Sequence, residues 1–342
     1  MIDWGDMKSS WPALFVVAAA CGGGSPDPNP AVDGATADGA PLADATNPDG
    51  PVPPADAAPG DGPAPDGGSP ACGNAHADVT PIEGTEGIAI AADGTIYYSQ
   101  DGAVGRLLPD GTRDDRWAVL DGPDGGNTPD VGTVWGLALT GTHLYAASPD
   151  SNSIWKVSLS GSQVENWVEV ADGSPNGLIL GADGLLYVSA FSQGQIFRVD
   201  PMQAHPQAIR VTDQNADGLD QPNGLYSVDA SHLVAIDYAD GDVWELTLAN
   251  GQETNRTRRT RITNGNLDGI TRDAQGRWYF TDQRGRRVVQ RPADLSAPGG
   301  AEHTVGGTIS SPANLEFGRG ALSCQDLYVT SGRAMARIVI DN

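Results

Sequence analysis

The chain has 342 residues, 39% apolar and 19% charged, with 44 acidic against 20 basic side chains and a formal net charge of −24. That length admits two domains or one large β domain; 45 glycines and 25 prolines disfavour a helical bundle or coiled coil, and the acidic balance excludes the basic footprint that nucleic-acid binding requires. Three cysteines without a C-x-x-C spacing exclude a zinc ribbon, a thioredoxin-type site and a disulfide scaffold.

Residues 1–20 read as a signal peptide. The apolar run 11–20 is too short to span a bilayer as a helix, Lys8 precedes it, and Met7 is a plausible start. Ala18-Ala19-Ala20 directly before Cys21 resembles the lipobox of a bacterial lipoprotein. The resemblance implies cleavage before Cys21 and lipid on that residue. An ordinary secretory signal or a buried strand is the alternative. The expected location is the cell envelope, with membrane contact through the lipid alone. Gly22 lacks the acidic character that retains lipoproteins at an inner membrane, which favours the outer one.

Residues 21–71 form a tether. Positions 22–71 carry 12 prolines and 8 aspartates but no Lys, Arg or aromatic residue, so no core can offset the entropy of ordering them. The remainder, 72–342, holds 34 acidic and 19 basic residues, net −15.

Within 72–342 one pattern recurs six times: a polar or bulky residue, usually Gly next, an alternating apolar run, a turn, and a second run with an aromatic. The leading residues are Glu86, Trp135, Asn176, Asn223, Asp268 and Asn314, spaced by 49, 41, 47, 45 and 46. Third runs follow at Ala103–Leu108, Ser153–Leu159, Gln195–Val199, Asp242–Leu248, Arg286–Gln290 and Met335–Ile340. Strands joined by hairpin turns at this period predict an all-β, six-bladed propeller of four-stranded antiparallel blades, expected as a monomer. The last repeat stops after three strands, so Asp78–Ile82 is expected to close blade six as its outer strand. Cys72 and Cys324 lie in those two pieces, and export predicts that they are joined; closing such a loop is worth about 5 kcal/mol in the chain-entropy model.

The residue opening each innermost strand sits at one mouth of a propeller's channel, so the six leading residues are expected to form a ring. Five carry oxygen donors and two are carboxylates, a set that suits a hard cation such as Ca²⁺ better than Zn²⁺. Asn and Asp before Gly are also common turn residues, so capping or plugging of the channel stays open as a reading. A second candidate is Asp213-Gln214-Asn215-Ala216-Asp217-Gly218-Leu219-Asp220. Its oxygen donors at Asp213, Asn215, Asp217 and Asp220, with Gly at the sixth position, match half of an EF-hand loop; a solvated turn is the alternative. Arg256, Arg258, Arg259 and Arg261 read as a charge-blocked outer edge. His76, His143, His205, His232 and His303 fall in turns and connections, away from the ring.

Residues 80–342 resemble the SMP-30/gluconolactonase/LRE-like family of six-bladed propellers. The resemblance rests on Thr85-Glu86-Gly87, Ser174-Pro175-Asn176-Gly177, Pro222-Asn223-Gly224-Leu225, Leu267-Asp268-Gly269-Ile270 and Asp326-Leu327-Tyr328-Val329-Thr330-Ser331. It implies that Glu86, Asn223 and Asp268 bind a divalent metal, Ca²⁺ first with Zn²⁺ or Mn²⁺ as alternatives. It also implies that Asn176 contacts substrate or water, and that the activity is hydrolysis of a small lactone or ester with Asp268 and Asn176 as the catalytic residues. Trp135 and Asn314 would wall the substrate. Paraoxonases and strictosidine-synthase-like proteins share the general plan. Where sugar-lactone members carry Arg, this chain has Ser174, which departs from sugar lactones and spares the metal set. The other reading is a non-catalytic envelope propeller that binds a ligand or protein partner, since fold alone does not choose a function.

Overall fold

The computed structural model describes residues 72–342 except 81, 84, 121–131, 161–162, 172, 213–217, 298–301, 333 and 342. The signal segment, Cys21 and the tether lie outside the described residues, as do Asp213, Asn215 and Asp217 of the second calcium candidate.

The fold is an all-β propeller of six blades. Five blades are four-stranded antiparallel meanders in chain order. Blade one runs Ile88–Ile90, Ile96–Gln100, Ala103–Leu107 and Arg113–Val119. Blades two to five begin at Leu137, Pro175, Pro222 and Leu267 and repeat the same order. Blade six comprises Pro312–Phe317, Asp326–Ser331 and Ala336–Val339. The inner strands of all six blades line one central cavity, with Ile88, Leu137, Leu178, Leu225, Ile270 and Leu315 on its wall.

The inner strands are mostly buried on both faces because blades stack face to face, while outer strands such as Gln252–Arg261 are largely exposed; period-two alternation sends neighbouring side chains to different cores. In the strand Leu186–Ala190, Leu186 and Val188 pack with blade two while Tyr187 packs with blade four. The result is six inter-blade cores, one per seam. Each fully buried aliphatic or aromatic side chain contributes roughly 1.5–3 kcal/mol, so the seams hold the ring of blades together.

Closure differs from expectation. Residues Asp78–Ile82 do not form the outer strand of blade six. The N-terminal strand is Cys72–Ala75, and it pairs in parallel with Gly320–Leu322, in the connection between the first two strands of blade six. The reason is local. The Asp78 carboxylate accepts bonds from both the amide (3.1 Å) and the hydroxyl (2.8 Å) of Thr80, a turn that competes with a ladder, and Pro81 has no amide hydrogen to donate. The segment closes the seam by packing instead. Val79 and Ile82 join Ile88, Tyr98, Tyr328 and Met335 in the core between blades six and one, and Ile82 O accepts from Met335 N at 2.8 Å. Cys72 and Cys324 are bonded, with Cα atoms 5.6 Å apart and a sequence separation of 252.

The basic run lies on the outer strand Gln252–Arg261 of blade four, with Arg256 paired to Glu253, Arg258 and Arg261 to Asp242, and Arg259 to Glu245. Among the described residues no helix is long and apolar enough to cross a membrane.

A Cys72→Ser, Cys324→Ser double variant is expected to lose up to about 5 kcal/mol of stability, the chain-entropy limit for so long a loop, while keeping its β-rich far-UV spectrum. Denaturant titration of the oxidised protein against the variant checks this; coincident midpoints would show that the crosslink adds nothing to closure.

Candidate metal centre at the channel mouth

The ring positions are set by a repeated bulge. In blades three to six the inner strand carries one extra residue against its neighbour: Pro175 faces Ala190 but Leu178 faces Val188, and the same shift recurs at Pro222/Leu225, Leu267/Ile270 and Pro312/Leu315. A bulge re-aims a side chain out of the ladder, here those of Asn176, Asn223 and Asp268. Hydroxyls on the second strand hold the freed backbone. Ser189 accepts from Gly177 N at 2.8 Å, Ser99 from Gly87 N at 2.7 Å, and Thr281 from Gly269 N at 2.6 Å.

The residue after each ring position lies against the next blade. A β-carbon on Gly136 would stand 2.0 Å from the Asn176 carbonyl oxygen, and one on Gly177 would stand 2.3 Å from that of Asn223. Such approach admits only glycine. The same contact runs from Gly87 to Trp135, from Gly224 to Asp268 and from Gly269 to Ala313. The circle is completed where the Asn314 side-chain amide donates to Glu86 O at 3.3 Å. Glu86, Trp135, Asn176, Asn223 and Asp268 therefore do meet around one axis.

Asn314 is a correction. Ala313 occupies the ring position in blade six, and Asn314 stands where the other blades have Gly: its N–H donates to Thr330, as the bulge glycines donate to Ser99, Ser189 and Thr281. Its side chain bonds the blade-one backbone, and the residue lines the central cavity. The prolines carry the missed signal. Pro312-Ala313-Asn314-Leu315 aligns with Pro175-Asn176-Gly177-Leu178 and Pro222-Asn223-Gly224-Leu225, which restores a spacing of 45 from Asp268.

Three oxygens of this ring lack hydrogen-bond partners. Asn176, Asn223 and Asp268 are 3%, 2% and 1% exposed, and Oδ1 of each is buried without a hydrogen bond. Leaving one such acceptor unsatisfied costs about 1–3 kcal/mol, so three on successive blades form a set that a hydrogen-bond donor or a cation would satisfy. Burial pushes the Asp268 carboxyl up to about 7, against the pull of the Gln283 and Asn223 amides. Burial and the neighbouring Asp268 charge push Glu86 well above the usual carboxylate range. Among the described residues neither has an ion-pair partner. Two carboxylates and two amide oxygens fit a hard divalent cation. No cluster of three or more His, Cys, Asp or Glu occurs among the described residues; the candidate set pairs two carboxylates with amide oxygens.

Three mouth residues escaped the sequence reading. Phe191, Tyr238 and Gln283 each follow the second strand of their blade. Gln283 donates to Asp268 Oδ2, and the Tyr238 hydroxyl donates to Gln283 Oε1 at 3.0 Å, so one carboxylate oxygen is held and Oδ1 is left toward the ring. Asp237 carries the Tyr238 turn, accepting from Ala239 N at 2.9 Å. Trp135 stands edge-on to Phe191, 6.3 Å between ring centres. Of the second calcium candidate only Asp220 is among the described residues, and it is exposed.

No family model and no curated protein matches the chain. Solved structures do. The calcium-binding protein regucalcin from Agrobacterium tumefaciens aligns at 16% identity over 79% of this chain and 97% of its own, TM-score 0.57. A gluconolactonase from Xanthomonas campestris aligns at 20% over 77% and 88%, TM-score 0.57. Virginiamycin B lyase from Staphylococcus aureus aligns at 15% over 76% and 83%, TM-score 0.55. At such identities the likeness is one of fold.

In chelated protein the raised folded-state pKa of Asp268 (about 7) against about 3.9 unfolded means that the folded state holds a proton which the unfolded state releases. That contribution is complete below pH ~4 and is lost as pH rises toward ~7, at up to about 1.4 kcal/mol per pH unit. Melting of the chelated wild type is expected to weaken over that window, and Asp268→Asn to flatten the trend. Parallel pH profiles for the two would sink the assignment.

Proposed function

We propose that this protein is a divalent-metal-dependent hydrolase of lactones or esters. The observation that carries the reading is the set of unpartnered buried oxygens on Asn176, Asn223 and Asp268, beside the Glu86 carboxyl. Glu86, Asn223 and Asp268 would hold the cation, with Asn176 as the fourth polar contact. Ca²⁺ suits the all-oxygen set best, with Mn²⁺ and Zn²⁺ as alternatives. The gluconolactonase and regucalcin propellers of similar fold lend support at the level of architecture.

A bound divalent cation supplies Lewis acidity toward a carbonyl oxygen and eases deprotonation of water. The chain does the rest. Asn176 orients the carbonyl from within the ring. Asp268 would accept the proton of the attacking water, while Gln283 fixes the carboxylate through Oδ2. As the new C–O bond forms and the acyl C–O bond breaks, the proton passes from Asp268 to the leaving alkoxide. Trp135, half-buried at the ring, excludes water from one side.

We place the protein in a bacterial cell envelope, exported and anchored by lipid at Cys21, with outer-membrane attachment favoured. It would act as a monomer on a small molecule.

Hydrolysis of a lactone and aryl-ester panel is expected to vanish in EDTA and return with Ca²⁺, Mn²⁺ or Zn²⁺. Asp268→Ala should lower turnover by at least about 10²-fold without shifting the far-UV spectrum. Bound calcium with no turnover on any substrate would favour the non-catalytic binding propeller instead. For the anchor, Cys21→Ala should move the protein from the membrane fraction to the soluble one. An unchanged distribution would refute it.

A further inference from the structure

The mouth is two-sided. Residues that follow the second strand at the same repeat phase are Asp101, Pro149, Phe191, Tyr238, Gln283 and Gly332. On blades two to four the wall is aromatic: Trp135 meets Phe191 edge-on at 6.3 Å, and Phe191 meets Tyr238 edge-on at 5.6 Å. All three are half-buried, so each keeps part of its surface accessible. On blades five, six and one the corresponding positions offer an amide, no side chain and an acid. The aromatic arc is joined to the centre, because Tyr238 bonds Gln283 and Gln283 bonds Asp268.

The arc is a built surface. Phe191 opens the short 3₁₀ turn Phe191–Gln193, and Ser192 on that turn donates to the Ser174 hydroxyl at 2.8 Å. Ser174 takes a left-handed backbone (φ 45°), and its amide donates to Asn152 Oδ1 at 3.2 Å. Position 174, two residues before the ring Asn176, thus braces the turn that carries Phe191. The hydroxyl protons of Ser192 and Tyr238 on this side are engaged, with Ser174 and Gln283 respectively, so neither is free to donate to a polyhydroxylated substrate. A flat apolar group would lose nothing and would gain aromatic contact on two or three rings.

We propose that Trp135, Phe191 and Tyr238 form the seat of an aryl group, and that the substrates are aryl lactones or aryl esters whose carbonyl reaches the ring centre while the aromatic portion lies on blades two to four. This rests on the hydrolytic reading above for the reaction, but the seat itself is tested by binding.

The test uses the full chain loaded with Ca²⁺ and a non-hydrolysable pair: dihydroquinolinone, an aryl lactam, and 2-piperidinone, an aliphatic lactam of the same ring size. Calorimetry and tryptophan fluorescence should give at least about tenfold tighter binding of the aryl lactam. Phe191→Leu keeps apolar volume and loses the ring face. It and Trp135→Leu should each weaken the aryl lactam about tenfold and narrow the gap between the pair, with the melting midpoint showing that the variants are folded. Equal affinity for the two lactams, binding of neither, or unchanged aryl-lactam affinity in both variants overturns the proposal. Selective aryl-lactam binding with no turnover of the matching aryl lactone supports the seat and overturns the hydrolytic reading, so the two failures are distinguishable.

Discussion

The contact between the residue after each ring position and the carbonyl of the next blade's ring residue is the constraint on which the site depends. A β-carbon at Gly136 or Gly177 would stand 2.0 or 2.3 Å from that oxygen, closer than any real contact. Glycine at five of these positions, with Asn314 at the sixth, lets the backbones crowd near one axis. Hydroxyls tighten the same joints: Thr281 accepts from Gly269 N at 2.6 Å while donating to the Ala313 carbonyl, and Thr330 accepts from Asn314 N at 2.9 Å while donating to that of Glu86. Each of these two hydroxyls thus belongs to two blades. Side chains from distant parts of the sequence are delivered to one place by backbone geometry, before any ligand contributes.

That precision creates a local imbalance. Apolar seams exclude water from the ring, yet the ring presents unpartnered Oδ1 atoms and two carboxyls whose pKa values are raised. Without a cation, protonation is the available relief, since burying a charge unpaired is far more costly than neutralising it. A divalent cation bound there would relieve the repulsion and the unmet hydrogen bonds together, which would link stability and metal affinity through the same atoms; Gln283 holds Oδ2 of Asp268 and leaves Oδ1 free.

The blades were legible because their inner strands are buried between neighbours, so apolar runs and flanking turns repeat at a nearly constant period. The third runs read from sequence match the third strands to within a residue or two, as at Gln195–Val199. The ring was legible where Gly follows the polar residue, and it slipped by one at Asn314, where Asn fills the glycine place. Closure was misread because Asp78 draws Thr80 into a turn, an interaction with no strand signature. Phe191, Tyr238 and Gln283 went unseen for another reason. They lie just past the strands, where periodicity says nothing and only the three-dimensional mouth gives them a common purpose.

Closure and chemistry meet at Glu86. It is the first ring residue in the chain and one of only two carboxylates there, and it stands directly after the segment that seals blade six to blade one. Thr85 N donates to Ser331 O at 3.3 Å, Thr330 bonds the Glu86 carbonyl, and Ile82 is fully buried in the seam. At the other end of that segment, His76 contacts Asp326 at 2.7 Å and Cys72 is joined to Cys324, both on blade six. A propeller whose last seam opened would keep Asn176, Asn223 and Asp268 on adjoining blades, but it would release the carboxylate that faces Asp268 across the ring. The N-terminal clamp thus acts on the charge of the site as much as on the stability of the fold, which gives a physical reason for fastening the start of the domain to its final repeat.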